Sequence, residues 1–137
     1  MSYLIAKVMS IQNCDSLHHV TFDCEGHILG MMGLELPKGI DVGKKVKLVI
    51  KATHVTLAKE FTGLLSYTNK LPVMIDSINN GTLLSSITLK FSGAFPQTYI
   101  ESIIPRTASE TMSLKVGDKI SALIKASEIA ICEVMDD

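Results

Sequence analysis

The sequence predicts an all-β protein built from two small five-stranded barrels in tandem, with a short helix in the second. Three features predict it: an internal repeat, apolar residues recurring with period two, and turns centred on Gly or Asn between the alternating runs. The repeat sets the organisation. Residues 41–58 (DVGKKVKLVIKATHVTLA) align without a gap on residues 115–132 (KVGDKISALIKASEIAIC), 74 positions later. Val42/Val116, Gly43/Gly117, Lys45/Lys119, Ile50/Ile124, Lys51/Lys125 and Ala52/Ala126 are identical, where chance would give about one match. The chain therefore divides into two related units, 1–60 and 61–137.

Each element has its own signal. Residues 17–24 place Val20, Phe22 and Cys24 on one face, and Glu25-Gly26 turns the chain. Val46, Leu48 and Ile50 alternate with Lys47 and Lys51, and Ile120, Ala122 and Ile124 repeat the pattern, as a half-buried strand does. After Lys-Ala-Thr or Lys-Ala-Ser the alternation restarts at Val55/Leu57 and Ile129/Ile131, so each copy reads as strand, tight turn, strand. Asn80-Gly81 parts two alternating runs, a strong hairpin signal, and Ser92-Gly93 marks another turn. Only 107–113 looks helical, preceded by Pro105 and offering Ser and Thr as caps. Units of this size bury little core alone, so the barrels should pack on each other or on another subunit, and a homo-oligomer (trimer or dimer) is expected.

Composition excludes several classes. Thirteen Lys+Arg against fourteen Asp+Glu give a net charge of −1, without the basic excess of a nucleic-acid surface. Aromatics are 5% with no Trp, too few for base-stacking platforms. The first fourteen residues lack the apolar core of a signal peptide, no run suffices for a membrane span, and the three cysteines cannot all pair. A reduced, cytoplasmic setting without membrane insertion is expected.

No catalytic constellation is present, neither G-x-S-x-G, P-loop nor paired His-Glu motif, so an enzyme is not expected. The histidines are His18, His19, His27 and His54. Cys14, Cys24 and His27 match no finger spacing and read as structural or exposed residues, so no direct cation site is assigned. Seven methionines, including Met31-Met32, read as core filler. The repeated Lys-Ala-Thr/Ser step has two readings. A lysine charge, a hydroxyl donor and backbone amides free of the ladder suit a tetrahedral dianion. Alternatively, lysine merely flanks a strand and the small residues serve the turn.

The segment Val116-Gly117-Asp118-Lys119-Ile120-Ser121-Ala122-Leu123-Ile124-Lys125-Ala126-Ser127-Glu128-Ile129 resembles the closing segment of the molbindin family, the Mop or TOBE domains that bind molybdate and tungstate. Ser66-Tyr67-Thr68-Asn69-Lys70-Leu71 looks like the family's opening S-A-R-N-x-L motif, and residues 17–26 resemble TOBE domains of molybdate transporter ATPases. The resemblance implies a tandem di-Mop arrangement of OB-like barrels binding a molybdate or tungstate oxyanion at domain or subunit junctions. Carried over residue by residue, it implies oxyanion contacts at Ser66, Thr68, Asn69, Lys125, Ala126 and Ser127, and at Lys51, Ala52 and Thr53 in the first repeat. Three positions depart from the pattern: the opening arginine is Thr68, and the threonine and serine before the helix fall at Pro105 and Ala108. Arg106, Thr107 and Ser109 are candidate substitutes. Met1-Ser2-Tyr3-Leu4 echoes Ser66-Tyr67 after a one-residue slip. With no DNA-reading or ATPase segment, the tandem resembles the storage and buffering branch. The alternative is an oxyanion-sensing module acting with a transporter or regulator.

Overall fold

The computed structural model describes residues 1–91 and 97–135; the expected Ser92-Gly93 turn lies outside them. The chain opens with a thirteen-residue strand, β1 (Ser2–Cys14), in which buried Ser2, Leu4, Ala6 and Val8 alternate with exposed Tyr3, Ile5, Lys7 and Met9. Its apolar outward residues hide the alternation in the sequence. β2 (Leu17–Cys24) and β3 (His27–Gly33) form a hairpin whose turn residues, Glu25 and Gly26, both have positive φ (50° and 87°). That is the twist a two-residue hairpin turn requires. Then come β4 (Lys45–Ile50), a 3₁₀ turn at Ala52–His54 and the short β5 (Thr56–Ala58).

The second half repeats this order. β6 (Asn69–Asn80) and β7 (Leu84–Phe91) form the hairpin expected at Asn80-Gly81, with Gly81 N–H donating to Leu84 O (2.7 Å). β8 (Tyr99–Pro105) leads into α1 (Arg106–Thr111), close to the expected helix. β9 (Lys119–Ile124), a 3₁₀ turn at Ala126–Glu128 and β10 (Ile129–Val134) complete the described chain.

The strands make two five-stranded antiparallel sheets, ordered β10-β4-β1-β2-β3 and β5-β9-β6-β7-β8. In each, the edge strands approach one another and curl the sheet into a barrel. The barrels exchange strands. β5, from the first repeat, pairs with β9, while β10, from the second, pairs with β4. The Lys-Ala-Thr and Lys-Ala-Ser steps are therefore crossovers: the 3₁₀ turn carries the chain onward to the neighbouring sheet instead of folding it back on the strand it has left. A cut at residue 60 separates the repeats along the chain, but each sheet is completed by a strand from across that cut. One apolar cluster consequently runs through both barrels, from Leu4, Phe22 and Leu29 to Ile75, Leu89, Phe91 and Ile100.

The strand registers give the internal equivalences. Ser2 faces Ile50 as Asn69 faces Ile124, and the break between Val8 and Ser10 recurs between Ile75 and Ser77. Ser2 thus stands where Asn69 stands, which corrects the sequence alignment of Ser2-Tyr3 on Ser66-Tyr67; the similarity of those dipeptides is fortuitous because pairing register, not local identity, sets the equivalence. Ser2 and Asn69 lock the barrels together reciprocally. Buried Asn69 accepts from Gly30 N–H (Oδ1, 2.7 Å) and donates to Gly30 O (Nδ2, 2.9 Å), reaching β3 of the first barrel. Ser2 Oγ accepts from Glu101 N–H (2.9 Å), reaching β8 of the second.

Candidate functional site

At the junction of the barrels lies an open cleft of about 360 Å³, lined by His19, Met32, Ser66, Thr68, Lys125, Ala126 and Ser127. Register explains why residues so distant in sequence meet. Because Asn69 pairs with Ile124 at the end of the β6–β9 ladder, the residues preceding β6 run beside those following β9. Ser66 and Thr68 thereby come alongside the turn that begins at Lys125. The opposite wall is the outward face of the β2–β3 hairpin, where His19 pairs with Met32 and the intervening core residues Val20 and Met31 point inward.

The cleft holds three hydroxyl groups, from Ser66, Thr68 and Ser127, and one permanent cation, Lys125. The turn Ala126–Glu128 is closed by Glu128 N–H donating to Lys125 O (2.9 Å), and no side chain caps its start. The first N–H groups of such a turn have no acceptor within it. Lys125 makes no ion pair among the described residues, and no carboxylate lines the cleft. An exposed ammonium that shares a carboxylate-free cleft with three hydroxyl groups is chemistry suited to an anion.

The other expected positions fall elsewhere. Asn69, only 1% exposed, commits its side chain to Gly30 and holds the cleft walls together from behind. Lys51 lines a separate cavity of about 210 Å³ with Met1, Val49, His54, Ser127, Glu128 and Ala130. There the Glu128 carboxylate lies 4.0 Å from His54 Nδ1. Ala52 is buried and Thr53 is exposed on the first 3₁₀ turn. Arg106 donates through Nε to Glu110 Oε1 (2.9 Å) and through Nη1 to Gly81 O (3.0 Å). Thr107 is exposed beside it, and Ser109 is buried in α1. None of these last three lines the cleft.

The internal equivalence shows how the two junctions differ. β3 packs against the turn Ala126–Glu128 as β8 packs against the turn Ala52–His54. Thr21 faces Gly30 as Thr88 faces Glu101, and His19 faces Met32 as Ser86 faces Ile103. On the Lys125 side the hairpin therefore offers His19 and Gly30. On the Lys51 side it offers Ser86 and Glu101, with Ser86 Oγ donating to Glu101 Oε1 (2.6 Å). A carboxylate has taken the place of a glycine.

The molecule shares its fold with a protein of known structure. It is similar to ModG. The crystal structure of that cytoplasmic molybdate-binding protein, in a PEG-grown form with molybdate bound, superposes with a TM-score of 0.87 at 28% sequence identity, covering 94% of this chain and 93% of that chain. No family model and no curated protein matches the chain. The similarity to ModG thus spans both barrels.

His19 and Met32 were not singled out as site residues by the sequence. Alternation put His19 on the face opposite Val20 and Phe22, but which outward residues meet a second barrel follows from tertiary packing alone. Of the methionine pair, Met31 is core filler and Met32 borders the cleft. Cys24 faces the core, and burial, then the charges of Glu25 and Asp23, push its thiol up to about 11.

Proposed function

We propose that this chain binds molybdate, or its congener tungstate, in the cleft between its barrels and buffers or stores the oxyanion in the cytoplasm. One observation carries the reading: Ser66, Thr68, Lys125, Ala126 and Ser127 converge on one carboxylate-free cleft in a fold shared with a molybdate-bound protein. Lys125 supplies charge, the three hydroxyls supply directional donors, and the start of the 3₁₀ turn supplies amides. Selectivity over sulfate, also a tetrahedral dianion, comes from cavity size and donor count. The protein acts as a binder and not as an enzyme. It self-associates, and the outward row of β1 is the surface we assign to this: Tyr3, Ile5 and Met9 are all about half exposed there (50%, 47% and 46%), with Lys7 between the last two.

The test is calorimetric titration of the protein, at a molecular mass fixed by light scattering, with molybdate, tungstate and sulfate. Saturable binding of molybdate or tungstate with weaker sulfate binding is expected, and a mass above 14.9 kDa. Equal affinity for all three anions, or no heat at millimolar anion, would overturn the reading.

A further inference from the structure

We propose that His19 is itself a ligand of the anion, a second cation that becomes available on protonation and acts across the cleft from Lys125; this rests on the oxyanion reading above. A dianion brings two negative charges, whereas the lining holds one permanent cation and no carboxylate. One positive charge leaves a dianion half-balanced, and His19 is the one other lining side chain able to become positive.

The local structure places the ring for this role. Gly30, beside His19 on the neighbouring strand, leaves the space the imidazole occupies: a methyl group on Gly30 would lie 3.3 Å from His19 Nε2. Gly30 is held by Asn69 through two hydrogen bonds, so the surface beneath the ring is fixed. Among the described residues no protein group hydrogen-bonds to the His19 ring, and both nitrogens remain for a ligand. The equivalent pair in the second barrel, Ser86 and Glu101, is acidic and closed on itself.

The ionisable groups around His19 are few. Lys125 faces it from the turn after β9. Cys14 borders the surface hollow on its other side, with Gln12, Asn13 and Leu17. His18, on the opposite face of β2, is bonded to Asn13. A bound dianion attracts a second positive charge into the cleft and so draws a proton onto His19. Binding and protonation are thus linked, and anion affinity rises as pH falls through the range where imidazole titrates.

The experiment is titration of the wild type, His19→Gln, His19→Lys and Lys125→Met with molybdate at about pH 8 and about pH 6, which span most of the histidine range. Circular dichroism confirms that each variant is folded. The wild type is expected to bind about tenfold more tightly at the lower pH, the limit for one linked proton being tenfold per pH unit. His19→Gln should lose the acid gain and bind with about the same affinity at the two pH values. His19→Lys should bind tightly at both, since its charge is permanent. A His19→Gln profile that keeps the wild-type pH dependence would overturn the role of His19 while leaving the anion site intact. Absence of molybdate binding by the wild type at both pH values would overturn the anion site and His19 with it. Lys125→Met separates the two, because it should weaken binding at both pH values.

Discussion

Replacing Asn69 by Ala tests whether the barrels are held as one body. The substitution removes two hydrogen bonds, of 2.7 and 2.9 Å, from a side chain that is 1% exposed. A hydrogen bond between neutral groups contributes about 1 kcal/mol net, and a donor or acceptor left buried without a partner costs about 1–3 kcal/mol. Gly30 is half-buried, so water can reach part of the vacated site and the larger penalty applies only in part. The expected loss is about 2–4 kcal/mol. For a chain of this size that lowers the melting temperature by about 10 °C. Ser2→Ala, which removes one bond to Glu101 N–H, should cost roughly half as much. The assay is thermal and urea denaturation followed by circular dichroism, with molybdate titration of the folded variants. Asn69→Ala should also weaken the anion, because Gly30 carries the wall on which His19 lies. A melting temperature within about 1 °C of wild type, a shift worth only a few tenths of a kcal/mol, would refute the clamp, and with it the reading of Asn69 as a strut behind the site.

Four further outcomes are expected. Lys125→Met should weaken molybdate about ten- to a hundredfold, the worth of a charge-assisted hydrogen bond. Lys51→Met should do far less, since its cavity includes Glu128 and the hairpin facing its turn carries Glu101; equal losses in calorimetry would mean the junctions are used alike. The backbone N–H of Lys115, then the Lys59 ammonium 3.1 Å away, hold the Asp118 carboxyl below its ordinary value. A carboxyl lowered in the folded state stabilises above its unfolded value and stops doing so as pH falls through its folded one. Wild type should therefore melt above Asp118→Asn at neutral pH, and the difference should vanish in strong acid. Finally, an aromatic disulfide reagent at about pH 8 should label exposed Cys14 and Cys132 quickly and Cys24 only on unfolding, because its thiol is buried and raised to about 11.

The sequence by itself determined many of the elements and their duplication. Period-two alternation placed β2, β4 and β9, because a strand with one face in the core leaves a pattern in any window containing it. The Glu25-Gly26 and Asn80-Gly81 turns were legible because those residues suit hairpin backbones. The repeat showed two like units, and the closing motif pointed to Lys125, Ala126 and Ser127, which do share a cleft with Ser66 and Thr68. β1 escaped notice, since Tyr3, Ile5 and Met9 make its outward face apolar and blur the alternation. Partnership between elements was decided only in three dimensions. A 3₁₀ turn reads the same locally whether the next strand returns to its own sheet or crosses to the other, so the exchange of β5 and β10 left no sequence mark. The outward positions of His19, Gly30, Ser86 and Glu101 are equivalent as strand residues. They differ in surroundings because one pair faces the Lys125 turn and the other faces the Lys51 turn, and packing of one barrel on the other alone settles which outward residues meet.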